Sequence, residues 1–341
     1  MFDKSNAEAS SSSLRTYSQY IPPRQEYRPP SPPNSSSMSS FSIHSSIEDQ
    51  AFRMDNGRVY QAQNDDYMRL EGQHDALKVR QGGKNYLAPF QEVLPEDGRD
   101  CRLLDVGTGT GIWALEMASE FPEAEVTGVD LAPVQRPEIL PNNLSYLMDD
   151  VSKGIPFPDG YFDAVHSRLL LAGIRNWKSF INEVIRVVRP GGLIVFVEDI
   201  GRFWVDDVSP EESRKRAPGV SKWSDYIEMA LTERGFDSNA GSKAIPKLIE
   251  EHTLLSERQT VYTSLPLWPW STDPLLKKTG ELMIHDTLSM PETARLLVVD
   301  GCSIPNQRYD ELVADYMADI GRPGANVVLP VWHHWARKKV E

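Results

Sequence analysis

Short apolar runs alternate with amphipathic stretches through the middle of this chain. Apolar strands are predicted near residues 102–106, 125–129, 144–148, 162–167 and 192–198. Between them, residues 112–118 and 180–188 carry apolar positions at helical spacing. This alternation is typical of an α/β fold with a mostly parallel sheet and helices on both faces.

The C-terminal part of the chain is less regular. Helical periodicity appears in residues 223–231, 275–288 and 307–320, and residues 258–265 and 326–337 are predicted as a sixth and a seventh strand. Residues 201–341 are therefore expected to complete the sheet that residues 101–200 begin.

The N-terminal part divides into two segments. Residues 1–50 are crowded with Ser, Pro and Asn and are predicted to be disordered, since they carry too little apolar surface to offset the entropy of ordering. Residues 51–100 contain a helical pattern that places Tyr67, Leu70, His74 and Leu77 on one face.

A glycine-rich turn follows the first strand. Asp105 is followed by Gly107, Gly109 and Gly111, and a helical pattern begins at once. Glycines at these positions let the backbone turn sharply and approach a ligand. The turn satisfies a permissive dinucleotide fingerprint as well. An acid before the turn disfavours the pyrophosphate of a dinucleotide and favours the ammonium and sulfonium of S-adenosylmethionine (SAM).

Polar residues end the following strands. Asp130 ends the second strand and can accept both ribose hydroxyls of either cofactor class. Asp150 and Ser167 follow the third and fourth strands. Because ligands of parallel sheets lie at the carboxyl ends of the strands, these residues and Asp105 are expected to share one cofactor pocket.

In this order and spacing, the segments resemble the class I SAM-dependent methyltransferases. The resemblance covers residues 68–200. It depends on four features, namely the D-x-G-x-G-x-G turn at Asp105, the acidic residue Asp130, the D-x-x-x-x-x-P-F segment from Asp150 and R-P-G-G before the fifth strand. Within that superfamily, the chain is similar to the fungal LaeA-like branch. The segments that carry this similarity are R-L-E-G-Q-H from Arg69, G-T-G-I-W-A and V-H-S-R.

The resemblance implies a Rossmann-like, seven-stranded sheet that ends in an antiparallel hairpin, with a helical cap at about 266–325 over the substrate site. The segment 51–100 would cover the cofactor site, where Gln73 and His74 are candidates to touch SAM or substrate. The predicted cofactor-binding residues are Asp105, Gly107, Thr108, Gly109, Gly111, Asp130, Leu131, Asp150, Val151 and Ser167.

A general base is wanted where the methyl acceptor is a phenol or an alcohol. His166, at the end of the fourth strand, is the first candidate for a catalytic residue, and His74 and His285 are weaker candidates. Arg168 is better suited to binding an acidic group or pairing with Asp150 than to acting as a base. Trp268 and Trp270 either line an apolar pocket or pack the cap onto the core.

Composition limits the partners. The net charge of −13 disfavours direct nucleic-acid binding, and two distant cysteines, Cys101 and Cys302, indicate neither a disulfide framework nor a metal site. The sequence shows no signal peptide and no membrane-spanning run, so a cytoplasmic or nuclear location is expected.

Three functions remain open. The first is methyl transfer to an oxygen or nitrogen atom of a small molecule, expected to be a secondary metabolite. The second, implied by the LaeA-like resemblance, is a nuclear regulator of secondary metabolism that acts through protein partners. The third is a module that binds SAM without catalysis.

Overall fold

The computed structural model describes residues 64–134 and 139–340. The predicted disordered tail at 1–50 lies outside the described residues. Within the described ranges, eight strands form one sheet: β1 Arg102–Val106, β2 Glu125–Asp130, β3 Leu144–Met148, β4 Phe162–Arg168, β5 Val188–Asp199, β6 Trp204–Val205, β7 Leu255–Pro266 and β8 Val327–Lys338.

The sheet is parallel in its first part and antiparallel at its end. The order is β3-β2-β1-β4-β5-β8, with β7 on the far edge of β8. The pairs from β3 to β5 are parallel, whereas β8 runs antiparallel to both β5 and β7. The predicted α/β class and terminal antiparallel hairpin are confirmed, and the strand order changes direction between β1 and β4, where ligands of such sheets bind.

Two details of the sheet differ from the prediction. The sheet has eight strands instead of seven. The additional strand is the two-residue β6, which pairs with the start of β8. β5 pairs with the same edge of β8, nearer its end. A strand this short has no period to detect. In addition, β5 begins at Val188, so the R-P-G-G segment lies inside the strand, beside an irregularity in its pairing with β4.

Helices cover the sheet and extend beyond it. They are α1 Asn64–Arg80, α2 Ile112–Glu120, α3 Trp177–Val187, α4 Pro210–Arg216, α5 Pro218–Glu233, α6 Ile245–Glu251, α7 Pro274–Gly301 and α8 Asn306–Asp319. The predicted helices correspond to α1, α2, α3, α5, α7 and α8, whereas α4 and α6 escaped prediction. None of the helices in the described part of the chain is long and apolar enough to cross a membrane.

Burial explains why the central strands read as continuous apolar runs. Residues 193–197 of β5 are all apolar and buried, because helices cover both faces of the sheet at this point. The amphipathic helix α3 covers one face with its apolar side, and its N-terminus is capped by Asn176, whose side chain accepts a hydrogen bond from the backbone N–H of Ser179 at 3.0 Å.

The long helix α7 belongs to the predicted cap and packs against the N-terminal helix α1. It lies between β7 and β8 in the chain, where the helical cap is predicted, and α8 follows it. Helices α1 and α7 pack closely: a Cβ atom added at Gly72 would lie 2.8 Å from the carbonyl oxygen of Leu282. The contact between these two helices brings α1 to the carboxyl ends of the strands.

Candidate active site

A large cavity opens at the carboxyl ends of β1, β2 and β4. Its volume is about 1170 Å³, and its wall includes residues from the turns after these strands and from α1, α5 and α7. Pockets for one small ligand usually measure about 300–1,000 Å³. The cavity therefore has room for a cofactor and a second small molecule.

The turn between β1 and α2 forms one wall of this cavity. Gly107, Gly109 and Gly111 all have positive φ, at 70°, 58° and 79°. A side chain at Gly107 would collide with Leu170, and one at Gly111 with the hydroxyl of Tyr146. These two glycines are therefore required by packing.

Gly109 differs from the other two glycines of the turn. The nearest atom to a Cβ added there is Cδ1 of Leu70, 3.6 Å away, and Gly109 lines the cavity. The space beside its backbone is thus open toward the cavity. Thr108 also lies in the wall, whereas the described lining does not include Gly111.

Asp105 lies behind this turn and not in the cavity wall. Its side chain is buried, and it accepts a hydrogen bond from Oγ1 of Thr108 at 2.6 Å. Its other oxygen lies 2.8 Å from Nδ1 of His166. The carboxylate predicted to contact the ligand therefore contacts two protein groups, and it holds the turn from beneath.

Asp130 faces the cavity at the end of β2. Its carboxylate accepts hydrogen bonds from the backbone N–H groups of Gly109 at 2.8 Å and Ala132 at 3.0 Å. Burial raises the pKa of Asp130, while these backbone donors oppose the shift. Leu131, the next residue, also lines the cavity and is 43% exposed. Both residues, which the sequence predicts to bind the cofactor, thus line the cavity.

The loop after β3 adds a second acid. Asp150 lines the cavity and accepts hydrogen bonds from the N–H of Ser152 at 3.1 Å and its hydroxyl at 2.6 Å. The bond from Ser152 is the main reason that the pKa of Asp150 is lowered, and Lys153 contributes an ion pair at 3.0 Å. Val151 lies beside it in the wall, so an acid and an apolar side chain adjoin here.

The structure places His166 and Ser167 inside the sheet. Both are buried, and the described cavity wall includes neither. His166 stacks on Trp113 with ring centroids 3.7 Å apart, and burial lowers its pKa although Asp105 acts in the opposite direction. The predicted base therefore has no geometry for proton transfer at the cavity surface.

The two weaker candidates for a base also lie away from the cavity wall. His74 is buried, with Nε2 3.1 Å from the carboxylate of Glu116. Burial opposes ionisation of Glu116, but His74 and Lys78 together hold its pKa at about 2. His285 is exposed on α7. Among the described residues, no cluster of three or more His, Cys, Asp or Glu side chains fits a metal ion.

The other half of the cavity is apolar, and sequence reasoning missed it. It is formed by residues of α5, α7 and the segments that flank them, namely Phe203, Trp223, Ile227, Leu231, Phe236, Met290, Ala294 and Leu297. The helical spacing of apolar residues in α5 is visible in the sequence, but this spacing does not show which of the apolar side chains face a cavity. Trp268 and Trp270 are absent from the described lining; Trp270 donates a hydrogen bond to the carbonyl of Val327 at 3.3 Å.

Comparison with known proteins adds to this geometry. A family model described as "Methyltransferase domain" matches residues 104–196, which contain the glycine turn and β2 to β5. Methyltransferase str3 of Strobilurus tenacellus is 32% identical over 219 residues, covering 64% of this chain and 73% of its own. N-methyltransferase gliN of Aspergillus fumigatus is 25% identical, covering 79% of this chain and 93% of its own.

A regulator is also among the relatives. Secondary metabolism regulator laeA of Coprinopsis cinerea is 29% identical over 248 residues. The match covers 71% of this chain and 61% of the regulator, so this chain spans less than two thirds of that relative's length.

Proposed function

Because this chain belongs to the class I SAM-dependent methyltransferases and resembles their LaeA-like members, we propose that it methylates an oxygen or nitrogen atom of a small molecule, a secondary metabolite. The observation that carries this proposal is the division of one cavity into two halves. One half presents the glycine turn, Asp130 and Asp150, and the other is apolar and large enough for a second molecule.

The polar half fits SAM by its chemistry. Gly109 leaves its backbone open to a ligand, and Asp130 retains acceptor capacity for ribose hydroxyls, since each of its oxygens accepts one backbone hydrogen bond. Asp150 offers a carboxylate to an exocyclic amine, between the apolar side chains of Leu131 and Val151. When bound, SAM would supply a methyl group on a sulfonium, which a nucleophile attacks at carbon while S-adenosylhomocysteine leaves.

The protein contributes mainly by positioning in this proposal. Methyl transfer requires the nucleophile, the methyl carbon and the sulfur to lie in line, and holding two reactants in one cavity supplies that geometry. His166 lies beneath the floor and supports the turn through Asp105. Accordingly, we assign His166 a positioning role in place of the predicted role as base.

The relatives' names support methyl transfer, since one is an N-methyltransferase and another a methyltransferase that this chain covers over most of its length. The similarity to a secondary metabolism regulator supports a second candidate, a regulator that acts through protein partners. A SAM-binding module without turnover would leave the apolar half without a function.

Titration calorimetry of the full chain tests the cofactor. SAM and S-adenosylhomocysteine should bind with micromolar Kd, and NAD should not bind. Asp130→Asn should weaken both SAM-related ligands by about tenfold or more, since a hydrogen bond to a charged group contributes about 1.5–3 kcal/mol. Asp75→Asn, which removes an exposed carboxylate from α1, is the matched control and should bind normally.

A second experiment separates the candidate functions. Transfer of labelled methyl from SAM to a fungal metabolite extract supports the enzyme, whereas recovery of specific protein partners without any transfer supports the regulator. Binding of NAD in place of SAM would refute the proposed function.

A further inference from the structure

One guanidinium in the cavity wall has no carboxylate partner among the residues that the structure describes. Arg168 ends β4, is largely buried and lines the cavity. Within residues 64–134 and 139–340, its guanidinium has neither a hydrogen bond nor a carboxylate oxygen within 4.0 Å, whereas its backbone pairs with Val197 in the sheet. Burial lowers its pKa, and Asp105, Glu116 and Glu71 stabilise its charge only from a longer range. A buried cation is costly unless an anion approaches it.

The backbone after Arg168 is held in an unusual conformation. Leu169 has φ of 55°, a region that leucine rarely adopts and that costs about 1–3 kcal/mol. Two hydrogen bonds maintain it: the N–H of Leu169 donates to the carbonyl of Val197, and the N–H of Leu170 to a carboxylate oxygen of Glu198, both at 2.9 Å. Glu198 is fully buried. Strain of this kind, fixed by a buried acid, is typical of functional positions.

Arg168 lies where the two halves of the cavity meet. Its neighbour Ser167 is in register with Val106 of β1, so Arg168 is level with Gly107 at the start of the cofactor turn. On its other side, residues 169–174 line the cavity and lead toward the apolar half. A group bound to Arg168 would therefore be close to both ligands.

Two further arginines lie beside the apolar half of the cavity. Arg175 and Arg234 line this half of the cavity, and Arg175 stacks over Phe236 with its guanidinium carbon 5.0 Å from the ring centroid. Nε of Arg175 donates to the carbonyl of Arg234 at 3.0 Å, and Arg234 also forms an ion pair with Asp300 at 4.0 Å.

From these observations we infer that Arg168 binds an acidic oxygen group of the methyl acceptor, a carboxylate or an acidic hydroxyl, while the acceptor's apolar body occupies the half lined by Phe203 and Trp223. This inference rests on the proposed function and narrows its substrate class. A protonated amine at the same place would be repelled by the guanidinium. An acidic hydroxyl would ionise more readily there, so it would need no histidine in the wall as a base.

The test uses the full chain saturated with S-adenosylhomocysteine and two probes of one shape, 2-naphthoate and 2-naphthamide. The wild-type protein should bind the acid about tenfold more tightly than the amide. Arg168→Met should abolish this preference, Arg168→Lys should restore part of it, and Lys247→Met, which removes an exposed charge from α6, should leave it intact.

The remaining outcomes overturn the inference in distinguishable ways. Equal binding of the two probes by the wild-type protein, or a preference that survives Arg168→Met, refutes an acid-binding role. Weaker binding of S-adenosylhomocysteine to Arg168→Met, with unchanged binding of 5′-methylthioadenosine, would show that Arg168 binds the carboxylate of the cofactor instead. Failure of the wild-type protein to bind S-adenosylhomocysteine would refute the proposed function itself. Thermal unfolding of each variant checks that it is folded.

Discussion

Asp105 and His166 form a buried pair beneath the glycine turn, with Oδ1 of the carboxylate 2.8 Å from Nδ1 of the imidazole. The side chains are 3% and 2% exposed. The same carboxylate accepts the hydroxyl of Thr108 at 2.6 Å, so β4 is connected through β1 to the turn that faces the ligand. This arrangement separates a supporting role for His166 from a chemical one.

His166→Phe should lower the free energy of unfolding by about 1–3 kcal/mol, because a buried carboxylate loses one of its two partners while the stack on Trp113 is retained. Urea denaturation measures this change. Ser167→Ala is the matched control: its buried hydroxyl has no hydrogen-bond partner among the described residues, and its removal should have a smaller effect. Unchanged stability in His166→Phe would show that the pair with Asp105 does not hold the turn.

Gly109→Ala should weaken SAM binding by about tenfold or more, because the added methyl group enters the space beside the turn where the ligand is proposed to lie. The positive φ adds a strain of about 1–2 kcal/mol that is unrelated to the ligand. Gly82→Ala separates the two effects, since Gly82 has φ of 69° and no atom within 4 Å of an added Cβ. Both variants should lose similar stability. Equal SAM affinity in the two variants would place the cofactor elsewhere.

The parts predicted from sequence are those that follow from local pattern and strand ends. The strands and the mostly parallel sheet could be predicted because buried parallel strands contain apolar runs, as in residues 193–197 of β5, and because of the resemblance to a known family. Asp130 and Asp150 could be predicted to lie close together because the carboxyl ends of parallel strands meet at one edge of the sheet, and both line the cavity.

Side-chain direction explains most of what the sequence could not show. Asp105, His166 and Ser167 are also at strand ends, yet they lie within the sheet because alternate residues of a strand point to opposite faces, and a pattern does not fix which face holds the ligand. The apolar half is assembled from α5 and α7, which are far apart in the chain. The sequence leaves open whether Arg168 binds an acidic group or pairs with Asp150, and only the structure shows that the two are not paired among the described residues.

Asp286→Ala should loosen α1 from the cap. The buried carboxylate of Asp286 on α7 accepts hydrogen bonds from Arg69 at 3.2 Å and Gln73 at 3.1 Å, and both donors also line the cavity. Removing it should lower the free energy of unfolding by about 3 kcal/mol and weaken SAM binding, because α1 forms part of the cavity wall.

Hydrogen exchange measures the loosening of α1 directly. Amides of residues 64–80 should exchange faster in Asp286→Ala than in the wild-type protein. Asp310→Ala removes an exposed partner of Arg295 and serves as the control that should change neither exchange nor binding. Unchanged exchange in α1 would show that the packing of apolar side chains between the helices is sufficient without this network.

Two buried histidines on β8 should make the stability depend on pH. Burial lowers the pKa of His333 to about 3 and that of His334 to about 4. His334 Nε2 lies 2.7 Å from the carbonyl of Gly241, which only accepts, so this nitrogen carries the proton and Nδ1 accepts from the hydroxyl of Thr260 at 2.9 Å. The folded protein therefore keeps both rings neutral.

Unfolded histidines have a pKa of about 6.5, so below that pH the unfolded state binds more protons than the folded state. The free energy of unfolding should therefore fall as the pH is lowered from about 6.5 toward 4, by about 1.4 kcal/mol per pH unit for each of the two rings. Urea denaturation of His333→Gln between pH 7 and pH 5 isolates one ring, and its slope should be smaller by that amount. His285→Gln, at an exposed position on α7, should keep the wild-type slope. An unchanged slope in His333→Gln would mean that the pKa of His333 in the folded protein is not below that of an unfolded histidine.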